Sequence, residues 1–435
     1  MKLIQQISLF SFCIFIFFIP FNYAWSNLFW FISVFFLLVD KDLYKSFSLK
    51  KISNEEKYFL LISTFYFIYF IISLFWTENL MRGFQLIGRY IILISFPWFM
   101  SFLKSIGIVK NNNFLFWIFT IGVFFSSFVC LYLSYQNCWQ ETESGLVFET
   151  HVLDKGCYRD NILDSISEGY NFFSYSFLSH FIHPSYYSLY FLFSVIFMVR
   201  ECKNMNNYSA KLFLIALILY SLAFIYMLQS RANLIALLLV GIIFVLYYTI
   251  QKKKYFVLIL GLLISIFITT KVVQNSRLSW IISNTIEAFN SDTSELRTDK
   301  LEHNVNDRII IWQNALQVIK EHPILGVGIG DTDTELENQY KKNGVDFTFG
   351  THNQYIYAQL SMGILGLLLL LAILFVPIYY GIKNRYFPLI GFSVAVMINL
   401  MFENMLTRNA GLMFIPWATM LLLMMSEEKK NELAK

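Results

Sequence analysis

Hydrophobic residues in this chain occur in long runs, separated by short polar loops and by two longer polar segments. A membrane-spanning helix needs about 20 apolar residues, and roughly twelve stretches approach that length. They lie near 5–22, 24–39, 58–76, 84–103, 113–135, 184–200, 211–229, 231–249, 254–272, 354–381, 386–403 and 409–425. The pattern predicts an all-α polytopic integral membrane protein with about 12 transmembrane helices, forming a single membrane domain over residues 1–435.

The first apolar run has one feature of a signal peptide, because Lys2 precedes it. No clean small-x-small cleavage site follows, and a second apolar run begins at once. We therefore expect an uncleaved first span.

The distribution of Lys and Arg among the loops predicts the orientation. Alternate short loops are rich in these residues, whereas the short loops between them hold only Arg82, Arg231 and Arg408. Cytoplasmic loops carry the excess of Lys and Arg, so both termini are expected to be cytoplasmic. The polar segments 136–182 and 273–352 are then both periplasmic in a Gram-negative cell, which places the chain in the inner membrane. The second segment is a large loop before the tenth span.

Composition excludes several classes of protein. The chain is 57% hydrophobic and 14% charged, whereas soluble globular proteins carry about 25% charged residues. A soluble enzyme with one anchor is therefore excluded. The net charge of +4 comes without a basic stripe or a zinc-type cysteine cluster, which argues against a nucleic-acid partner.

The five cysteines fit the predicted topology. Cys138 and Cys157 both fall in the first periplasmic loop, where oxidation is allowed. We expect a disulfide between them, and the alternative is two unrelated thiols.

The large loop has helical patterns. One helix is predicted from Asp307, as an N-cap or first-turn acid, through Lys320. Its apolar stripe is expected to lie against the membrane domain and comprises Ile311, Ala315, Val318 and Ile319. Pro323 ends this helix, and a glycine turn follows at Gly326, Gly328 and Gly330. Asp331 is expected to be the N-cap of a short helix through Lys341. The large loop is therefore expected to cover the membrane domain as part of the same domain.

Two arginines are candidates for binding an anion. Arg308 and Trp312 are four residues apart and share one helix face, so that Trp312 can pack while Arg308 projects. Arg231 begins a span on the side that the positive-inside rule does not favour for arginine. A guanidinium group grips phosphate in a bidentate way. The alternatives are a solvated Arg308 and an Arg231 that only reaches the membrane interface.

Other candidates lie at the same predicted surface. Arg89 falls a turn or two inside the fourth span, where ionisable groups usually face a partner or a wet cavity. Glu403 ends a span on the same side and is a candidate partner for Arg89, in a purely structural ion pair or in a substrate site. His352 begins the tenth span, and a neutral imidazole is suited to general-base work. Asn353 can bind either substrate or backbone. The six histidines form no metal-binding pattern, so no metal is expected.

The chain resembles the O-antigen ligase and polymerase superfamily of bacterial envelope glycosyltransferases in three motifs over roughly 190–380. In the first, Ser230-Arg231 opens a span. In the second, Arg308-x-x-x-Trp312 is followed by Pro323 and Gly326-x-Gly328. In the third, Thr351-His352-Asn353 leads to Gly363 and Gly366.

The resemblance implies a metal-independent, cofactor-free glycosyltransferase of the GT-C type, with a glycan on undecaprenyl diphosphate as donor. It implies that Arg231 and Arg308 hold the diphosphate and that His352 acts on the acceptor hydroxyl, with inversion. Fixed guanidinium groups can stabilise the charge that develops on a diphosphate leaving group. Gly363 and Gly366, three apart in the tenth span, are expected to let another span or the lipid tail approach closely.

Three functions remain open. A ligase transfers the glycan to lipid A-core or a protein hydroxyl, and we favour it because the histidine motif is the clearer feature. A polymerase transfers the glycan to another lipid-linked repeat. A transporter of the lipid-linked glycan is disfavoured, because the charged residues cluster at the outer surface rather than at the midplane.

Overall fold

Long apolar helices dominate the computed structural model, which describes residues 3–40, 49–109, 112–142, 145–152, 165–166, 170–252, 303–345 and 348–433. The helices before the large loop are α1 (Leu3–Phe18), α2 (Tyr23–Val39), α3 (Asn54–Ile72), α4 (Leu80–Ser105), α5 (Asn112–Asn137), α6 (Tyr175–Leu178), α7 (Pro184–Asn204), α8 (Tyr208–Met227) and α9 (Arg231–Lys252). The remaining helices are α10 (His303–Glu321), α11 (Thr332–Lys342), α12 (Gln354–Lys383), α13 (Phe387–Phe402) and α14 (Asn409–Leu433).

These helices confirm the prediction of an all-α polytopic membrane protein. Among the described residues, seven helices are long and apolar enough to cross a membrane, and three shorter apolar helices accompany them. Each predicted span within the described ranges corresponds to a helix. The ninth predicted span, 254–272, lies outside those ranges, as does 273–302 of the large loop.

The first polar segment contains two short strands that the hydrophobic pattern does not predict. Strands β1 (Trp139–Thr142) and β2 (Gly145–Phe148) pair antiparallel, with Trp139 opposite Phe148. Cys138 is buried directly before β1. Its thiol is free in this structure and donates a hydrogen bond to Ser134 O at 3.3 Å. Cys157 lies outside the described residues, so the expected disulfide stays a prediction.

The last helix, α14, forms the centre of the bundle. Of its most apolar stretch, 94% is buried by neighbouring helices. The Phe414 ring lies 5.1 Å from the Phe119 ring and 5.4 Å from the Phe193 ring, measured between centroids. Lipid provides no hydrophobic force between helices, so such close packing holds them together. Aromatic pairs of this kind contribute about 0.5–1.5 kcal/mol each.

Ion pairs tie helices together at one end of the bundle. Glu56 of α3 is fully buried and pairs with Lys104 of α4, which also contacts Glu427 of α14. Lys430 of α14 contacts Glu55 at 3.1 Å. A buried carboxylate without its partner would be strongly destabilising, so these pairs fix three helices relative to one another. We call the other end, where Arg231, His352 and Glu403 lie, the site end.

The helices of the large loop partly match the prediction. Helix α10 begins at His303, four residues before Asp307, so Asp307 is not its N-cap. Most of the predicted stripe is buried. Ile311, Ala315 and Val318 pack in one cluster with residues of α11 and α12, and Ile319 is partly buried against that cluster. Asp331 occupies the N-cap position of α11, but its side chain does not cap that helix. Its carboxylate accepts hydrogen bonds from the backbone N–H groups of Glu78 and Asn79, at 2.7 and 2.8 Å.

Helix α12 breaks at Gly363, which corrects the expectation of a continuous helix face there. Gly363 has φ 65° and ψ −164°, a conformation that is essentially restricted to glycine. The neighbour that approaches Gly363 is the loop 323–328 rather than another span. Val327 N–H donates to Leu360 O at 2.9 Å, and Ile364 N–H donates to Pro323 O at 3.1 Å. Backbone groups that the break leaves without helical partners are therefore paired, as membrane proteins require.

Adding a single methyl group at Gly363 should test this docking. A Cβ atom there would lie 2.0 Å from Ile324 O, and the backbone conformation itself costs roughly 1–3 kcal/mol for other residues. We expect Gly363→Ala to lower the thermal midpoint of the purified protein clearly.

The matched control is Gly88→Ala on α4, where a Cβ atom meets nothing within 4 Å. Because alanine favours helix over glycine by about 1 kcal/mol, the control should keep or raise the midpoint. Equal midpoints for the two variants would contradict the docking of the loop on Gly363.

Candidate active site

A cavity of about 180 Å³ opens at the site end. Its lining comes from the starts of α6, α7 and α9, from α10 and from the end of α13. The lining residues are Tyr175, His183, Ser185, Gln229, Ser230, Arg231, Ala232, Arg308, Phe402 and Glu403. Arg231, Arg308 and Glu403, which lie far apart in the sequence, therefore share one cavity.

A buried amide network supports the start of α9. Asn233 Nδ2 donates to Ser185 O at 2.7 Å and to Ser230 Oγ at 2.9 Å. Asn399 Nδ2 of α13 donates to Asn233 Oδ1 at 2.9 Å. Both asparagines are fully buried, and buried amides that find partners rigidify their surroundings. The network fixes the backbone from which Arg231 projects.

Glu403 connects two of the candidate residues. It follows the last residue of α13 as its C-cap. One carboxylate oxygen lies 3.6 Å from Arg308 Nη2, and the other lies 3.5 Å from His352 Nδ1. The Phe402 ring lies 6.0 Å from the Arg308 guanidinium, within range of a cation–π interaction. Arg308 is thus held between a carboxylate and an aromatic ring.

The surroundings of Glu403 keep it ionised. Burial alone would raise the pKa of Glu403, but the interactions of its carboxylate with His352, His183 and Arg308 outweigh that effect. The net result is a pKa below the usual value for glutamate. Glu403 is therefore a carboxylate at neutral pH, and it can accept a hydrogen bond from a protonated Nδ1 of His352.

His352 is held in place from both sides. Trp312 Nε1–H on α10 donates to Thr351 O at 2.9 Å, and Thr351 Oγ1 lies 3.0 Å from Asn404 Oδ1. Asn353 Oδ1 accepts from Tyr355 N–H and Ile356 N–H at 3.0 and 3.1 Å and so caps α12. Asn353 thus binds backbone, and Trp312 positions the residue before the histidine.

Backbone strain clusters at the cavity. His352 has φ 44°, Gln229 φ 48° and Tyr175 φ 47°, all in the left-handed region. This region costs residues other than glycine roughly 1–2 kcal/mol each. Such conformations persist where the surrounding structure enforces them, and they are frequent at functional sites. Tyr175 and Gln229 line the cavity, and His352 contacts its carboxylate.

The structure separates Arg89 from these residues. Arg89 is exposed on α4 and is not among the cavity-lining residues. The partners of Glu403 are Arg308 and His352 instead. The expected pair between Arg89 and Glu403 is therefore replaced by contacts to residues of α10 and of the loop before α12.

His183, which is not among the site residues predicted from the sequence, also lines the cavity. His183 is the N-cap of α7 and accepts from Ser185 N–H through Nδ1 at 3.4 Å. Desolvation by the surrounding protein is the main cause that lowers its pKa. The His-Pro dipeptide at a span start marks the cap, but only the fold brings that cap beside Arg231 and Arg308.

A larger cavity of about 530 Å³ lies elsewhere, between the start of α4 and the loop after α10. Trp76, Glu78, His322 and Leu325 are among its lining residues. None of the predicted site residues lines it, so we assign the site to the smaller cavity. Within the described ranges, no group of three or more His, Cys, Asp or Glu side chains is arranged to hold a metal ion.

Comparisons with known proteins bear on this arrangement. A family model described as O-Antigen ligase matches residues 216–371. This stretch contains Arg231, Arg308 and His352, and the match confirms the resemblance to the O-antigen ligase superfamily. An uncharacterized protein of Haemophilus influenzae is 35% identical over 108 residues. That stretch covers 24% of this chain and 27% of the relative, so the similarity spans about a quarter of the relative's length.

The lowered pKa of Glu403 predicts a pH-dependent contribution to stability. Ionised Glu403 stabilises the fold above the usual glutamate pKa, near pH 4.3. This contribution is lost as the pH falls through the lowered pKa of the folded state. Hydrogen bonds to charged groups contribute about 1.5–3 kcal/mol, and the long distances here place the effect at the lower end. Glu403→Gln should therefore have a lower thermal midpoint than the wild type at neutral pH, with a difference that shrinks in acid.

Glu321→Gln is the control, because Glu321 is an exposed acid at the end of α10. It should follow the wild type at every pH. A Glu403→Gln difference that is constant with pH would mean that ionisation of Glu403 does not stabilise the fold.

Proposed function

Because residues 216–371 match the O-antigen ligase family, we propose that this membrane protein transfers a glycan from undecaprenyl diphosphate to an acceptor hydroxyl. The acceptor in this proposal is lipid A-core or a similar glycan, and the reaction takes place on the periplasmic side of the inner membrane. The observation that carries the proposal is the convergence of Arg231, Arg308 and Glu403 around one cavity, with His352 on the same carboxylate.

The two arginines bind the diphosphate of the donor. Arg231 is anchored through the amide network beneath it, and Arg308 is held by Glu403 and Phe402. As the bond between the anomeric carbon and the diphosphate oxygen breaks, the leaving group keeps the electron pair and gains negative charge. Preorganised guanidinium groups stabilise that charge.

His352 acts on the acceptor. With Nδ1 directed at Glu403 Oε2, the neutral tautomer carries its proton on Nδ1 and leaves Nε2 free to accept another. The acceptor oxygen attacks the anomeric carbon from the side opposite the diphosphate, so the configuration inverts, and its proton moves to Nε2. Glu403 stabilises the imidazolium that forms, as a carboxylate behind a histidine does in other enzymes. His352 then releases the proton to water.

Glycan transfer by purified protein in proteoliposomes, without ATP or an ion gradient, tests the proposal. A positioned base contributes about 10²–10⁴-fold in rate, so His352→Ala should lose activity by about that factor. Donor binding should survive in this variant, because both arginines remain.

His322→Ala is the matched control, since His322 is exposed and lines the other cavity. It should keep wild-type activity. A His352→Ala rate within about threefold of wild type, well short of the general-base range, would exclude the base role. Loss of donor binding in the same variant would make His352 a binding residue.

Envelope glycans of a deletion strain distinguish the ligase from the polymerase. We favour the ligase, because the matched family is described as one. A ligase deletion should give short lipopolysaccharide and accumulated lipid-linked polymer. A core that bears a single repeat would identify a polymerase instead.

A further inference from the structure

His183 caps a helix through one ring nitrogen, and its side chain also lines the cavity. Its Nδ1 caps α7 by accepting from Ser185 N–H, and its side chain lines the cavity with Arg231 and Arg308. Helices usually take Ser, Thr, Asp or Asn as their N-cap. Histidine provides the same acceptor through Nδ1 but adds a second nitrogen on the far edge of its ring.

The cap determines which nitrogen carries the proton. Nδ1 accepts a hydrogen bond, so it has no proton of its own. Surrounding protein lowers the pKa of His183, mainly by desolvation, which keeps the ring neutral at pH 7. In a neutral imidazole the other nitrogen is then the donor, so Nε2 bears the hydrogen.

Neighbouring rings hold the imidazole in this orientation. Tyr175 and Tyr186 lie edge-on to His183, with centroids 6.4 and 6.3 Å away. The ring is also close to the start of α9, because Ser185, its cap partner, accepts from Asn233 through its carbonyl oxygen. His183 and Arg231 therefore belong to one rigid part of the site end.

We propose that His183 Nε2–H donates a hydrogen bond to a diphosphate oxygen of the lipid-linked donor, as a third donor beside Arg231 and Arg308. This inference rests on the proposed function. The cavity of about 180 Å³ is smaller than the roughly 300–1,000 Å³ of pockets for drug-sized ligands. It fits a diphosphate group better than a glycan, and its two guanidinium groups select for phosphate.

The neutrality of His183 matters for the chemistry. A third cation in the cavity would disfavour protonation of His352, since like charges oppose each other. A neutral donor adds a hydrogen bond to the diphosphate without that effect. The site thus gains binding while His352 keeps its ability to accept a proton.

Two isosteric variants separate the cap from the donor. His183→Asn keeps an acceptor near the Nδ1 position, and asparagine is a favoured N-cap, but it lacks the Nε2–H group. His183→Gln places an amide N–H near the Nε2 position but loses the cap. We would measure binding of sugar-free undecaprenyl diphosphate and of the glycan donor to full-length purified protein, together with thermal midpoints.

We expect His183→Asn to keep the wild-type midpoint and to bind both ligands about 10- to 100-fold more weakly, as for a lost hydrogen bond to a charged group. His183→Gln should bind within about threefold of wild type, a smaller loss than that of one such hydrogen bond, and should have a lower midpoint. The control His322→Asn, outside the cavity, should change neither quantity.

Wild-type binding by His183→Asn would overturn the inference. A loss of binding in His183→Gln but not in His183→Asn would also overturn it, because binding would then follow the helix cap. If His183→Asn weakened only the glycan donor, the contact would be to sugar and the assignment to phosphate would be wrong. A wild-type protein that binds neither ligand would instead overturn the proposed function.

Discussion

The candidate site depends on one carboxylate placed among cationic groups. Arg231 and Arg308 come from different elements and line one cavity, and like charges oppose being brought together. At 4 Å and an effective dielectric constant of 20, two unit charges interact by about 4 kcal/mol. Glu403 contacts both Arg308 and His352 and so offsets the repulsion. The attraction between Glu403 and these neighbours is also what lowers the pKa of Glu403.

This arrangement requires that the loop before α12 keeps a fixed position relative to the helix bundle. Two sets of contacts fix the position of this loop. The break at Gly363 receives the loop 323–328 through backbone hydrogen bonds, which anchors the large loop to α12. Further up, Trp312 binds Thr351 O, which holds α10 against the residue before His352. Because these contacts over-determine the backbone, His352 can persist in a strained conformation.

The cavity contains positively charged, negatively charged and neutral groups, and we propose a different role for each. Arg231 and Arg308 provide positive charge where a diphosphate would bind, and Glu403 keeps the imidazole of His352 oriented. His183 adds a donor that carries no charge. In the reaction we propose, the lipid part of the donor stays between the helices, so only the headgroup has to enter the cavity.

Much of the fold follows from local properties of the sequence. Each apolar run is long enough to require a helix in lipid, whatever its neighbours are, and this is why the helices of the described ranges match the predicted spans. The candidate site residues also stand out in the sequence, because Arg231, Arg308 and His352 lie at the ends of apolar runs or in the polar loop. Strands β1 and β2 were missed, because short exposed strands in a polar segment leave little hydrophobic pattern.

The sequence by itself therefore determined the spanning helices and the set of charged and basic groups available to a site. Only the tertiary structure decided which of these groups meet. Asp331 was expected to cap its own helix, yet its carboxylate binds backbone N–H groups 252 and 253 positions away. Glu403 contacts Arg308 rather than Arg89, and the N-cap His183 faces two arginines. Such contacts depend on how distant helices pack, and hydrophobic periodicity carries no information about the partner that a polar side chain will meet.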